Sequence, residues 1–147
     1  MKAKFGFFTA LVAILAIVLC SACQRPLANQ DLSSPEQAVV TSAKEFKQIY
    51  NSHDKEKMAN LISQDASLLI GRDNSKHIVT KEEYLNHFPE RWDDYPKFSN
   101  KFSSIDFNSS KDRATLHTYI SIGGKRINID WEFSRENGKW LLSGYNY

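Results

Sequence analysis

Cysteine is almost missing from this sequence: the 147 residues hold two, Cys20 and Cys23, and none follows. Beyond residue 23 no disulfide can form within the chain, no thiolate cluster can bind zinc, and no thiol nucleophile is at hand. Excess charge is missing as well. The chain has 19 Lys+Arg against 17 Asp+Glu, and Lys2 and Lys4 account for the difference, which leaves residues 23–147 balanced at 17 against 17. A balanced domain carries no electrostatic footprint for nucleic acid, and the slightly basic pI argues nothing for an anionic membrane. The four histidines, His53, His77, His87 and His117, lack ligand spacings such as His-x-x-x-His, so no metal is expected. His87 and His117 read as surface or satisfied polar residues. No Gly-x-Ser-x-Gly, phosphate loop or dinucleotide fingerprint occurs, and no cofactor is expected. Asp93-Asp94 reads as a solvated loop, because sequence neighbours seldom face one point.

What is there begins with a tripartite N-terminus. Lys2 and Lys4 form a basic start. Phe5 to Leu19 is apolar apart from Thr9, and the small residues Ser21 and Ala22 stand before Cys23. The run is shorter than the roughly 20 apolar residues of a spanning helix, so it reads as a removable export signal. Leu19-Cys20-Ser21-Ala22-Cys23 resembles the lipobox of bacterial lipoproteins, with Cys20 standing where that family usually has an aliphatic residue. The resemblance implies cleavage between Ala22 and Cys23 and acylation of Cys23, such as by palmitate. The chain would then be anchored in a membrane by lipid, each buried methylene contributing about 0.8 kcal/mol. Gln24 resembles the outer-membrane sorting pattern, which implies a periplasm-facing outer-membrane location if the source is a diderm bacterium. An ordinary secretory signal with an incidental Cys23 is the plainer alternative.

The organisation expected is therefore a signal peptide over 1–22, a lipidated cysteine and flexible tether over 23–33, and one domain over 34–147. Ser34-Pro35-Glu36-Gln37 reads as a capping box opening a helix. Val39, Ala43, Phe46 and Tyr50 line one face of it, and it ends near Asn51-Ser52. Asp54 caps a second, shorter helix with Met58, Leu61 and Ile62 on its apolar side. Ser67 to Ile70 reads as a short strand. Thr80-Lys81-Glu82-Glu83 opens a third helix carrying Tyr84, Leu85 and Phe88, with Pro89 limiting its regular length and Glu90 to Tyr95 able to continue as a turn or second short helix.

From Lys97 the period changes to two. Phe98 to Phe107 carries Phe98, Phe102 and Ile105, followed by a turn at Asn108-Ser109-Ser110. In Arg113 to Ile122, Ala114, Leu116, Thr118, Ile120 and Ile122 share a face opposite His117 and Tyr119. Gly123-Gly124 is a hairpin turn. Arg126 to Arg135 sets Ile127, Ile129, Trp131 and Phe133 against Asn128, Asp130, Glu132 and Ser134. Asn137-Gly138 is a second hairpin turn, and Trp140 to Tyr147 is the last strand. Three helices and then four antiparallel strands give an α+β domain, its helices packed on a curved antiparallel sheet.

Three passages resemble the nuclear transport factor 2-like superfamily, which includes SnoaL-like and ketosteroid-isomerase-like domains. They are Phe46-Lys47-Gln48-Ile49-Tyr50-Asn51-Ser52-His53-Asp54 leading to Leu61-Ile62-Ser63-Gln64-Asp65-Ala66, Thr80-Lys81-Glu82-Glu83-Tyr84-Leu85, and Asn137-Gly138-Lys139-Trp140-Leu141-Leu142. The resemblance implies a cone with an apolar pocket between sheet and helices. Its members use that cone as an enzyme site, ligand cavity, dimer surface or docking face. Against the isomerase type, the oxyanion-hole tyrosine falls on Phe46 and the catalytic carboxylate on Ile70, neither of which can move a proton. The protonated acid falls on Asp130, opposite the apolar face of its strand.

Phe46, Tyr50, Tyr84, Phe88, Trp92, Trp131 and Phe133 are the aromatic residues that could line a pocket, with core packing as the plainer reading. No catalytic residue is assigned. The leading expectation is a lipid-anchored, non-catalytic envelope module that binds a small apolar ligand or a protein partner, one variant being a periplasmic immunity or accessory protein. An enzyme of the SnoaL-like kind would need a pocket acid, Asp65 or Asp130, beside Tyr50 or Tyr84. A third reading is a homodimer through the outer sheet face near His117 and Tyr119.

Overall fold

The computed structural model describes residues 32–71, 76–94 and 97–147, without the side chains of 89–94. The export signal, Cys23 and most of the tether lie outside the described residues. Helix α1 spans Ser34–Asn51. Its cap is Ser33 rather than Ser34, and Glu36 rather than Gln37 closes the box, accepting from the Ser33 N–H and hydroxyl. A carboxylate is the stronger acceptor, and its charge faces the positive end of the helix. The hydroxyl and then the N–H of Ser33 hold Glu36 below the usual carboxylate range. The expected stripe is buried, with Val40 and Ile49 added. At the far end His53 adopts φ 58°. Its N–H donates to the Tyr50 carbonyl and that of Asp54 to the Ile49 carbonyl, closing the last turn.

Asp54 caps helix α2, Lys55–Ala59, by accepting from the Lys57 N–H at 2.9 Å. Only Met58 of the expected apolar side lies on this helix. Leu61 follows it, and Ile62 opens strand β1, Ile62–Ile70, which is longer than the four residues expected. Pairing with a distant strand overrides local helical spacing here: the Leu142 N–H donates to the Leu61 carbonyl at 2.9 Å. Strand β2, His77–Val79, was not expected at all and pairs antiparallel with β1. Thr80 caps helix α3, Lys81–Asp94, as expected: the Glu83 carboxylate accepts from the Thr80 N–H at 2.8 Å and its hydroxyl at 2.9 Å. Pro89 does not end α3. A proline removes one N–H and crowds one carbonyl, which kinks a helix without forbidding the next turn.

Strands β3 (Phe98–Phe107), β4 (Arg113–Ile122), β5 (Lys125–Glu136) and β6 (Lys139–Asn146) form the meander that alternation foretold. Gly123 and Gly124 take φ 54° and 76°, and Asn137 and Gly138 take 48° and 81°, the double positive φ of a two-residue hairpin turn. The sheet has six strands in the order β2-β1-β6-β5-β4-β3, and β1 runs parallel to β6, so it is mixed rather than wholly antiparallel. The helices cover its concave, apolar face.

Strand β3 shifts register between Phe102 and Ser104. Phe102 lies opposite Thr118 and Ile105 opposite Leu116, so one extra residue turns Ile105 and Phe107 back onto the concave face. The spacing of three from Phe102 to Ile105 requires this bulge in a strand whose faces alternate by two. The start of β3 is fixed from α1. The Asn51 side-chain amide donates to the Phe98 carbonyl at 2.9 Å and accepts from its N–H at 3.0 Å, acting as a one-residue strand partner. Asn51→Ala removes both bonds at once. We expect a loss of about 2 kcal/mol, at about 1 kcal/mol for each bond, read from the urea midpoint, with Asn51→Asp also destabilising because it cannot donate.

Candidate functional site

Rings pack in sequence across the interior of the cone, most of them edge to face. Phe46 of α1 meets Trp131 of β5 at 5.5 Å between centroids, Trp131 meets Phe98 at 6.0 Å, and Phe98 meets Tyr50 at 5.1 Å. Tyr50 meets Phe88 of α3 at 5.0 Å, Phe88 meets Tyr84 at 5.9 Å, and Tyr84 meets Tyr145 of β6 at 6.3 Å. Phe133 joins through Trp131 at 6.4 Å. Phe46, Tyr50, Tyr84, Phe88, Trp131 and Phe133 are thus brought together, and all six are buried. They touch one another across the space between sheet and helices. Trp92 lies on α3 with its side chain outside the described residues, and Ala22 and Cys23 fall outside the described residues altogether. Phe98 and Tyr145 belong to the same run of rings and were not singled out from sequence.

No acid reaches this interior among the described residues. The buried polar side chains are Ser63 and Thr118, and neither is a carboxylate. Asp65 is exposed on β1. Asp130 lies on the convex face, held by His117. Phe46 and Ile70, at the two isomerase positions, are both core residues. A buried carboxylate beside Tyr50 or Tyr84 is what proton transfer within the cone would need.

Polar chemistry collects on the convex face instead. His117 of β4 sits directly opposite Asp130 of β5, and its Nδ1 lies 2.7 Å from Asp130 Oδ1. Its Nε2 lies 3.0 Å from Asp106 Oδ2 on β3. Hydrogen bonds to Asp106 and Asp130 outweigh partial burial and hold the imidazolium above the usual histidine range. One row along, Tyr119 lies opposite Lys101 and Asn128, and the Arg126 guanidinium stands 4.1 Å over its ring. On the other side of His117, Thr115 is flanked by Asp106 and Glu132. Away from both faces, Lys44, Lys47, Gln48, Asn51, Ser52 and Lys97 line an open depression of about 740 Å³ beside the end of α1.

The architecture matches solved structures of low sequence identity. A protein of unknown function with a cystatin-like fold from Nostoc punctiforme superposes with a TM-score of 0.61 at 18% identity, covering 79% of this chain and 92% of that one. A nuclear transport factor 2-like protein of unknown function from Shewanella baltica gives 0.60 at 16% identity, covering 80% and 97%. A ketosteroid isomerase-like protein from Erwinia carotovora atroseptica gives 0.59 at 12% identity, covering 78% and 95%. The fold is the nuclear transport factor 2-like cone. No family model matches the sequence. No curated protein matches it either.

Within this cone Trp131 touches Phe46, Phe98 and Phe133. Trp131→Ala should cost about 3–5 kcal/mol, the range for emptying a buried large aromatic position, as measured by denaturant unfolding. Thr115→Ala, on the outer face, should stay within about 0.5 kcal/mol.

Proposed function

We propose that this chain is a lipid-anchored, non-catalytic protein-binding module of the cell envelope, working through the convex face of its sheet. The observation that carries the reading is the ring packing inside the cone: the aromatic residues that would line a ligand cavity are packed against one another, and among the described residues no acid is placed among them. A small apolar ligand would have to displace core rings, and among the described residues the cone offers a SnoaL-like enzyme no carboxylate as proton carrier. Binding therefore falls to the exterior. The anchor rests on the lipobox-like Leu19-Cys20-Ser21-Ala22-Cys23. The ten residues between Cys23 and Ser34 span at most about 35 Å, enough to hold the domain just clear of a bilayer, in the outer membrane facing the periplasm if the source is a diderm.

A second copy of the chain is the partner that the charge pattern of the convex face favours. The registers place acids in adjacent rows, Asp106 with Glu132 and then Asp130, while Lys101 lies in the row of Tyr119 and Arg126 in the row beyond it. An in-plane two-fold axis across the strands, between His117 and Tyr119, sets Glu132 of each copy over Arg126 of the other. A four-strand face measures about 20 by 30 Å from strand spacing and rise, near the area per partner of about 800 Å² in a standard interface once side-chain relief is counted.

Sedimentation equilibrium tests the face. Glu132→Arg and Arg126→Glu should each weaken self-association about tenfold, and the double exchange should restore it; two inert single variants would sink the face as a self-docking surface. Mass spectrometry of the isolated native chain tests the anchor. An acylated N-terminal Cys23 is expected, and Cys23→Ser should move the protein out of the membrane fraction. A bare thiol or an intact leader would overturn the anchor.

A further inference from the structure

His117 is placed so that one proton decides how three strands are joined. Its two ring nitrogens point at different carboxylates, Nδ1 at Asp130 at 2.7 Å and Nε2 at Asp106 at 3.0 Å. A carboxylate only accepts, so both contacts are hydrogen bonds only when both nitrogens carry hydrogen. A neutral imidazole has one N–H, and its other nitrogen would set a lone pair against a carboxylate oxygen. The ring bridges the two acids, and among the described residues no group of His, Cys, Asp and Glu is arranged to hold a metal.

We infer that His117 is a proton-operated clasp: as imidazolium it ties β3 to β4 and β5, and on losing its proton it releases Asp106 and leaves the convex face one charge more negative. The contact that gives way follows from the geometry. Asp130 is the nearer partner, directly cross-strand, and its side chain is 49% exposed; that of Asp106 is 77% exposed and diagonal to the ring, so water solvates the freed carboxylate readily. The neutral ring keeps its Nδ1 proton on Asp130. Within two rows of His117 the other charged groups on this side of β3, β4 and β5 are Glu132 and Arg126 of β5, Lys101 of β3 and Arg113 of β4, while β6 brings the neutral Asn146 opposite Asp130. The ring's hydrogen-bond partners are Asp130 and Asp106, and none of these groups is among them.

The direction of linkage is fixed. A histidine whose folded value is raised adds stability that is fully present below its unfolded value, near 6.5, and is lost as pH rises through the folded value. The device thus works on the alkaline side of an ordinary histidine.

Nuclear magnetic resonance of the ¹⁵N-histidine-labelled full-length chain in detergent micelles tests it, with the His117 signal assigned by its loss in His117→Gln. The native ring should be doubly protonated to a higher pH than the same residue in the urea-unfolded chain. Asp106→Asn and Asp130→Asn should each shift the midpoint downward. Amide exchange over Ser104–Phe107 should quicken as the proton leaves, and in His117→Gln this pH step should vanish. A native midpoint at or below the unfolded one, or a single neutral tautomer below it, would overturn the clasp; Asp106→Asn sits at an exposed edge, so the test does not depend on a core variant folding. Any effect on self-docking rests on the reading of the face given above. With the midpoint confirmed, self-association that ignores it would count against that face and leave the clasp standing.

Discussion

The rest of this structure depends on how the space inside the cone is filled. A curved sheet with helices across its mouth must either keep a hollow or occupy it, and here packed rings, most of them edge to face, do the occupying, from Phe46 through Trp131, Phe98, Tyr50 and Phe88 to Tyr84 and Tyr145. Such pairs contribute about 0.5–1.5 kcal/mol each beyond the area they bury. The arrangement also sets where polar chemistry can be. A carboxylate placed among these rings would cost several kcal/mol unless paired, and among the described residues none is there. The acids, the half-exposed histidine and the arginine on tyrosine all sit on the other side of the sheet.

The bulge in β3 connects the two sides. Without it, strict alternation from Phe98 through Asn100 and Phe102 would carry Ser104 and Asp106 into the apolar interior. One extra residue near Ser103 reverses the faces: Ile105 and Phe107 turn inward, Phe107 to within 5.7 Å of Trp140, and Asp106 turns outward to reach His117. The Ser103 hydroxyl donates to the His117 carbonyl at 2.9 Å, so the bulge is itself tied to the strand that bears the clasp. A single register shift therefore serves core packing and outer-face chemistry together.

Much of this was legible in the residues, and the gaps have physical reasons. The meander could be read because β3 to β6 are long and alternate, and because two-residue turns leave their register no freedom. The Gly123-Gly124 turn alone places Asp130 opposite His117, so half of the clasp was written locally. Asp106 was hidden because its position depends on the bulge and on a longer turn at Asn108. Strand β2 is three residues long and leaves no periodic signal. The start of β1 is polar at Ser63, Gln64 and Asp65, and its parallel partner β6 is some eighty residues away in sequence, a pairing no local pattern announces. The helix starts were legible as motifs, yet Ser33 displaced Ser34 because two serines in a row offer the same chemistry and the carboxylate of Glu36 decides between them.

Strand β3 is also an edge of the sheet, with no strand paired to its outer side among the described residues. Long edges invite pairing with other chains unless something spoils the fit. Here the bulge bends the strand, and Lys101 and Asp106 put charges of opposite sign along it. Asp106 guards the edge as an exposed carboxylate, and the His117 ring binds it there. The same contact ties the second half of β3, which lies beyond the reach of the Asn51 clamp on Phe98. The edge is thus held at one end by an amide that does not titrate and at the other by an ion pair that does. If it loosens, it loosens from the Asp106 end, where the exposed carboxylate still opposes pairing with a neighbouring strand.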